Sequence, residues 1–193
     1  MLRALFCRTT LLSVSAWFLL GTLALHAQLP QTRLYSISPP GAQLGTSVEV
    51  RILAGDDLEE ISALHFNHPG ITAEPKMQEV NGQPQPVDRT FVVNVAPDVP
   101  PGMYDIRASG LWGTSNPRRF VVGALPDVID AETTNTPEQA CPLELNRVVN
   151  GRLYGGTDVD WFRVTLTSGQ KVVIDCQAQR IDSRMDPTIE VYD

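Results

Sequence analysis

Hydrophobic and polar residues alternate along the chain in short runs, which is the pattern of β-strands with one buried face. In the first run Val48, Val50 and Ile52 occupy every second position, so we predict that they face a core. Gln28–Ser38 precedes this run as an extended lead-in. The predicted strands of the first half are Ser47–Leu53, Ala63–Phe66, Ile71–Glu74, Phe91–Val95, Met103–Ala108 and Arg119–Val122.

Glycine and proline separate these runs and predict turns between the strands. The chain contains 15 Pro and 14 Gly, and Pro39-Pro40-Gly41, His68-Pro69-Gly70 and Pro97–Gly102 fall between predicted strands. Short strands separated in this way indicate an all-β fold with an immunoglobulin-like β-sandwich. Pro75–Arg89 shows little apolar periodicity, so we predict an exposed loop there.

A second pair of alternating runs lies near the end of the sequence. Apolar residues take alternate positions in Asp160–Thr167 and again in Lys171–Ala178. Ser168-Gly169-Gln170 separates the two runs and has the composition of a turn. We therefore predict an antiparallel hairpin over these residues, with Trp161 in the core at its start.

The first 27 residues have the organisation of a signal peptide. Arg3 and Arg8 form a positively charged start, Leu11–Leu25 is apolar, and Leu25-His26-Ala27 is a candidate cleavage site. The alternative is a membrane anchor, because the apolar run is only slightly shorter than a spanning helix. Cleavage after Ala27 predicts a secreted, periplasmic or cell-surface protein with no membrane segment in its mature form.

The charge of the chain argues against one class of partner. The formal net charge is −7, and no stripe of basic residues is present. Nucleic acids bind proteins through many phosphate contacts to Lys and Arg, so a nucleic-acid partner is not expected. The apolar content of 42% indicates a folded chain rather than a disordered one.

Four pieces occur in order in the second half: N-G-R-L, D-V-D-W-F-R-V-T-L, S-G-Q-K-V-V-I-D, and T-I-E-V-Y-D after Asp186-Pro187. Together they resemble the bacterial pre-peptidase C-terminal (PPC) domain. The resemblance covers about Asp127–Asp193 and implies a jelly-roll-like β-sandwich of the kind attached to secreted enzymes or surface proteins. That family is similar in fold to the collagen-binding domains of secreted collagenases. Since such a sandwich takes roughly 100 residues, we expect a partial, truncated domain in a fragment of a longer protein.

The first half resembles IPT/TIG-like immunoglobulin-fold domains through S-P-P-G-A-Q-L-G-T-S-V-E-V and V-P-P-G-M-Y-D-I-R-A. The resemblance covers about Leu34–Gly123 and implies a spacer or binding module. The tandem resembles exported multidomain proteins of planctomycete-type bacteria. The predicted organisation is a signal peptide at 1–27, an Ig/TIG-like β-sandwich at 28–123, an acidic Pro/Thr linker at 124–140, and an incomplete PPC-like β-domain at 141–193.

Two cysteines, Cys141 and Cys176, remain after cleavage at Ala27. Export places them in an oxidising compartment, where disulfides persist. A bridge between them would stabilise the fold by roughly 3–4 kcal/mol in the loop-entropy model. The alternative is two free thiols that pack as small apolar side chains.

Acidic and amide side chains on both sides of Cys141 form a candidate calcium site. Ca²⁺ takes six to eight oxygen ligands from carboxylates and carbonyls. Some relatives among the collagen-binding domains bind Ca²⁺ through the linker before the first strand, which the resemblance places here. The alternative is a solvated acidic linker, with the later aspartates making turn hydrogen bonds. The candidate ligands are Asp130, Glu132, Asn135, Asp158 and Asp160.

One exposed-looking aromatic and the absence of catalytic motifs complete the candidate chemistry. Trp112, in the loop S-G-L-W-G-T-S-N, either contacts a ligand or packs under the closing strand. His65 and His68 lack a third metal ligand and an H-E-x-x-H arrangement. The sequence has no G-x-S-x-G and no glycine-rich phosphate loop after a strand, so we predict no catalytic residues.

The sequence therefore predicts an exported, non-catalytic binding or spacer module of a cell-surface or periplasmic protein. Its expected partners are extracellular proteins or polysaccharides, and no cofactor other than calcium is implied. The alternative is the N-terminal accessory region of a larger secreted hydrolase, because PPC-like domains accompany such enzymes.

Overall fold

The structure of the protein is a computed structural model that describes residues 29–131 and 133–193. Two β-sheets form its first half. The strands are β1 (Arg33–Ser38), β2 (Gly41–Gln43), β3 (Ser47–Asp56), β4 (Ala63–Phe66), β5 (Ile71–Val80), β6 (Gln83–Val95), β7 (Gly102–Gly110), β8 (Gly113–Thr114) and β9 (Arg118–Gly123). The first sheet has the order β1-β3-β6-β5, and the second has the order β2-β9-β7-β4, with β8 paired to β7. The predicted all-β, sandwich-like fold is confirmed.

Alternate residues of the strands meet in one apolar core between the two sheets. Val50 and Ile52 of β3 are buried on the first sheet, and Ile106 and Ala108 of β7 are buried on the second. Full burial of a valine or isoleucine side chain stabilises a fold by roughly 1.5–3 kcal/mol. The inward faces predicted from alternation in β3 and β7 are therefore confirmed.

The chain passes from one sheet to the other at Pro39-Pro40. β1 pairs antiparallel with β3 in the first sheet, whereas β2 runs parallel to β9 in the second. Asn116 then bonds back to the buried Leu34 of β1: its Oδ1 accepts the Leu34 N–H at 2.9 Å, and its Nδ2 donates to the Leu34 carbonyl at 2.9 Å. The Asn116 side chain thus supplies both hydrogen bonds that a neighbouring strand would otherwise provide.

The predicted loop at Pro75–Arg89 is wrong, because these residues extend β5 and β6 into a long hairpin. Val80 pairs with Gln83, and Asn81 and Gly82 between them have φ of 54° and 73°. Two central residues with positive φ make the type I′ turn that suits a two-residue hairpin. Backbone pairing holds this arm together although most of its side chains are exposed, which explains why no apolar periodicity marks it.

The predicted solvated linker at 124–140 is wrong in part, because some of its residues are built into the fold. The strands of this half are β10 (Asp127–Ile129), β11 (Cys141–Pro142), β12 (Val148–Asn150) and β13 (Phe162–Arg163). β10 pairs in parallel with β12, and β11 pairs in parallel with β13. Asp130 and Thr134 are buried. The backbone of the linker is thus paired with later strands instead of being solvated along its whole length.

The predicted hairpin over Asp160–Ala178 is also corrected, because its two runs do not pair with each other. The turn is present: the Gln170 N–H donates to the Thr167 carbonyl at 3.0 Å, and Gly169 has a φ of 82°. Only β13 forms a strand, and every residue from 162 to 177 is exposed. No layer covers these residues within the described part of the chain, so their alternation has no core to face. Trp161 is half-buried against the ring of Tyr192.

The residues around Asp182 attach the second half to the first sandwich. Asp182 Oδ2 accepts the Arg119 N–H at 3.0 Å, and the Asp182 carbonyl accepts from the Arg118 guanidinium. The Arg184 guanidinium lies 5.2 Å from the centre of the Tyr35 ring, within the range of a cation–π contact. Residues Gln31–Asp193 accordingly form one compact unit.

The predicted signal peptide at 1–27 lies outside the described residues. Within the described residues, the structure holds no helix with the length and hydrophobicity needed to cross a membrane.

We predict that Asn116→Ala lowers the free energy of unfolding by about 1–3 kcal/mol, because it leaves the buried Leu34 N–H and carbonyl without partners. Urea denaturation followed by fluorescence measures this loss. Asn67→Ala is the matched control: the Asn67 amide accepts one hydrogen bond, from the exposed Asp105 N–H, and its removal should cost about 0.5 kcal/mol or less. Equal losses in the two variants would contradict the role given to Asn116.

Candidate binding site

An open cleft lies beside the loop that follows β12. Its volume is about 520 Å³. The cleft brings the linker residue Asn135 next to the loop Tyr154–Val159, which lies about twenty residues later in the chain. The lining residues are Asn135, Tyr154, Gly155, Thr157, Asp158 and Val159. The site therefore combines an aromatic ring, an amide, a hydroxyl and a carboxylate.

Asp158 closes the loop that shapes this cleft. Its Oδ2 accepts the Tyr154 N–H at 2.7 Å, and the Asp158 N–H donates to the Gly155 carbonyl at 3.3 Å. A side chain on Gly155 or Gly156 would meet no atom within 4 Å, so these glycines open the loop to solvent rather than permit close packing. Asp158 thus makes the turn hydrogen bond that the sequence offered as the alternative to metal binding.

Tyr154 presents its ring to solvent at this cleft, with 71% of its surface exposed. The Arg152 guanidinium lies 5.5 Å from the centre of the ring, so a cation–π contact supports the ring from one side. Our sequence interpretation missed both residues. An aromatic residue followed by Gly155-Gly156 was the available signal, because glycines on the same loop leave a ring uncovered.

The other acidic candidates lie around Gly151. Asp130 is only 4% exposed, and the Thr134 hydroxyl lies 3.4 Å from its Oδ1 and 3.3 Å from its Oδ2. A Cβ built on Gly151 would come within 3.5 Å of Asp160 Oδ2 and 3.8 Å of Asp130 Cβ. The structure therefore brings Asp130 and Asp160 to one glycine, and Asn135 and Asp158 to one cleft.

These two groups of side chains do not form one cluster of calcium ligands among the described residues. Ca²⁺ needs six to eight oxygens, and Glu132 lies outside the described residues. Among residues 29–131 and 133–193 there is no group of three or more acidic, histidine or cysteine side chains that could hold a metal ion. Asp158 already accepts a backbone hydrogen bond. Calcium binding stays a prediction from the sequence.

Trp112 lies at the turn between β7 and β8, where it is 40% exposed. Its Nε1 donates to Glu59 Oε2 at 3.0 Å, and the neighbouring Leu111 N–H donates to the Glu59 carbonyl at 3.1 Å. A Cβ on Gly110 would lie 2.6 Å from the same carbonyl, so glycine is required for this close approach. The indole is therefore held in place while part of it faces solvent, and the ligand contact of Trp112 stays a prediction.

The two candidate disulfide partners are free thiols in the structure. Cys141 is half-buried at the start of β11, and Cys176 is exposed in the residues that follow the Gly169 turn. No bridge joins them in this structure. The disulfide predicted from the compartment and the cysteine count stays a prediction.

Comparison with known proteins gives no family for the chain. No family model matches it, and a search of the curated proteins found no match. Among solved structures it is similar to SGBP-B of the Bacteroides ovatus mixed-linkage glucan utilization locus, solved in complex with a mixed-linkage heptasaccharide. The sequence identity is 17% and the TM-score 0.34, over 60% of this chain and 25% of that one. The matched region spans a quarter of the length of that structure.

A titratable group lies at the base of the loop that carries the cleft. Asp127 of β10 accepts a hydrogen bond from Asn150 Nδ2 at 3.0 Å, directly before that loop begins. Burial raises the pKa of Asp127 above its ordinary value, although the bonds from Asn150 and from the Gln43 backbone oppose the rise. The ionised form of Asp127 is thus disfavoured in the folded protein.

We predict that Asp127→Asn is more stable than the wild type at pH 7. A raised pKa in the folded state means that folding favours the protonated carboxyl of Asp127. The stability that the protonated carboxyl contributes is therefore lost as the pH rises above the ordinary pKa of 3.8 and then through the higher pKa of the folded state. The neutral amide avoids that loss. Urea unfolding from pH 4 to pH 7 should show that the difference in free energy of unfolding between the variant and the wild type increases with pH.

The exposed Asp98 supplies the control, because Asp98→Asn removes the same charge away from β10. At pH 7 the gain in free energy of unfolding from Asp127→Asn should exceed the change from Asp98→Asn. If the difference in free energy of unfolding between Asp127→Asn and the wild type stays constant or decreases as the pH rises, the raised pKa of Asp127 is contradicted.

Proposed function

We propose that the protein is an exported, non-catalytic binding module that recognises extracellular polysaccharide at the cleft around Tyr154. The observation that carries the proposal is the Tyr154 ring, 71% exposed beside the Asn135 amide and the Asp158 carboxylate. An exposed aromatic ring next to a few polar groups is the composition of a ligand site rather than of a packed core.

The chemistry of the cleft fits a sugar. A pyranose ring has an apolar face of C–H groups, which packs against an aromatic ring, and a rim of hydroxyls, which both donate and accept hydrogen bonds. The amide of Asn135 has both donors and acceptors, the Thr157 hydroxyl has one of each kind, and the Asp158 carboxylate accepts. The open shape of the cleft suits one stretch of a long chain rather than an enclosed small molecule.

The same cleft favours binding over hydrolysis. Glycoside hydrolysis uses a pair of carboxyl groups on either side of the scissile bond. Of the described residues that line the cleft, Asp158 alone is acidic, and its Oδ2 is engaged by the Tyr154 N–H. A carboxylate used to fold the loop is poorly placed to transfer protons to a substrate, so we assign Asp158 to loop folding and to accepting hydroxyl groups rather than to catalysis.

Export rests on the predicted signal peptide at 1–27, and it makes polysaccharide of the cell surface or surroundings the accessible ligand. The PPC-like resemblance of the second half supports the alternative that this module is the accessory region of a larger secreted hydrolase. The two proposals share the binding step. They differ in whether the same polypeptide also carries a catalytic domain, which a complete reading of the coding sequence decides.

We predict that the purified protein is retarded in native gels containing soluble polysaccharide, and that Tyr154→Ala weakens the binding about tenfold or more. Loss of a central aromatic contact commonly costs about 2 kcal/mol, and each tenfold step is about 1.4 kcal/mol. The panel consists of a mixed-linkage β-glucan, a xylan, a mannan and a pectin, and isothermal titration measures the affinity for any that retards the protein.

Tyr192→Ala is the matched control, since Tyr192 is also an exposed tyrosine but lies against Trp161 outside the cleft. It should bind as the wild type does. Failure of the wild-type protein to bind any member of the panel would overturn the ligand class, and full binding by Tyr154→Ala would overturn the site.

A further inference from the structure

We propose that residues Gln170–Cys176 form an intermolecular β-ladder with the same segment of a second copy of this chain, around a two-fold axis at Val173. This surface is separate from the cleft at Tyr154, and the proposal does not depend on the proposed function.

The first observation is the exposure of an apolar segment. Val173 is 91% exposed and Ile174 is 61% exposed, and Val172 beside them is exposed as well. Three consecutive β-branched residues favour strand geometry strongly. An apolar stretch of this kind in contact with water marks a surface that another element covers.

The second observation is the state of the backbone. No backbone–backbone hydrogen bond joins residues 171–177 to any other described residue. Unpaired N–H and C=O groups along a segment of high β-propensity are a template for pairing with another chain. Within residues 29–131 and 133–193, the backbone of residues 171–177 therefore lacks a β-ladder partner, and the apolar side chains of Val172, Val173 and Ile174 are exposed.

The third observation names the partner, because the segment complements itself. In an antiparallel pair centred on Val173, Lys171 lies opposite Asp175 of the second copy, and Val172 lies opposite its Ile174. Each apolar residue then faces an apolar one, and the Lys171–Asp175 pair occurs twice, once on either side of the axis. A parallel pair in register would instead place Lys171 opposite Lys171, which is unfavourable.

The charges are available for this pairing. Asp175 is half-exposed and already carries bonds from Gln177 Nε2 at 3.0 Å and from the Arg180 guanidinium. These two bonds lower the pKa of Asp175, so the carboxylate stays ionised well below neutral pH. A carboxylate has about four acceptor sites, so it can accept a lysine ammonium in addition.

The complementarity also explains why a second copy is preferred to an arbitrary chain. The protein carries a formal net charge of −7, so two copies repel each other at long range. Lys171 is one of only two lysines in the sequence, the other being Lys76. A local pair of Lys–Asp contacts offsets the repulsion at this segment alone. One short ladder is small for a stable interface, so we expect a weak dimer with a dissociation constant on the order of 10–100 µM.

Sedimentation velocity of the purified protein from about 1 to 500 µM tests the proposal. The wild type should change from monomer to dimer with rising concentration. Lys171→Asp and Asp175→Lys should each weaken the dimer at least tenfold, because each places like charges opposite each other. The double variant K171D/D175K restores opposite charges and should return the dissociation constant to within about threefold of wild type.

Lys76→Asp makes the same change of charge on the hairpin arm, and it should leave the dimer unchanged apart from the added general repulsion. Far-ultraviolet circular dichroism confirms that each variant is folded. A wild type that stays monomeric to 500 µM, single variants that dimerise normally, or a double variant that remains as weak as the single ones would each overturn the proposal.

Discussion

The apolar contact between the two sheets of the first half is the interaction on which the remaining structure depends. Val50 and Phe91 on one sheet and Ile106 and Phe120 on the other are all almost fully buried. Each strand holds its register because a slip by one residue would turn its buried face to water. The core therefore fixes both the pairing of the strands and the positions of the loops that leave them.

The second half depends on this core because it has little of its own. Its strands are short parallel pairs, and Ala178 is the one apolar residue of the second half that is buried among the described residues. Asp182, held in the left-handed region at φ 64°, bonds to Arg119 of β9 and so ties that half to the sandwich. The Asn150 side chain donates a hydrogen bond to Asp127 directly before the loop that carries the cleft at Tyr154. The recognition that we propose is thus assigned to loops that a distant core supports.

Alternation of apolar and polar residues predicts a buried strand face correctly only where a second layer of structure covers that face. Alternation in β3 and β7 correctly predicts their buried faces, because another sheet covers them. The same alternation in Asp160–Ala178 predicts a buried hairpin that is absent, since no layer covers it in the described residues. Asn81-Gly82 is a hairpin signal that our interpretation missed, because it relied on apolar periodicity and the exposed arm has little. The bond from Arg119 to Asp182 spans 63 residues and leaves no local pattern.

Amide hydrogen exchange measured by NMR at low protein concentration tests the central role of the two-sheet core most directly. The amides of Val50, Phe91 and Ile106 should exchange only through global unfolding, with the slowest rates in the molecule. Those of residues 171–175 should exchange at rates close to those of an unfolded chain. Exchange of the core amides as fast as that of residues 171–175 would contradict the dependence of the structure on this core.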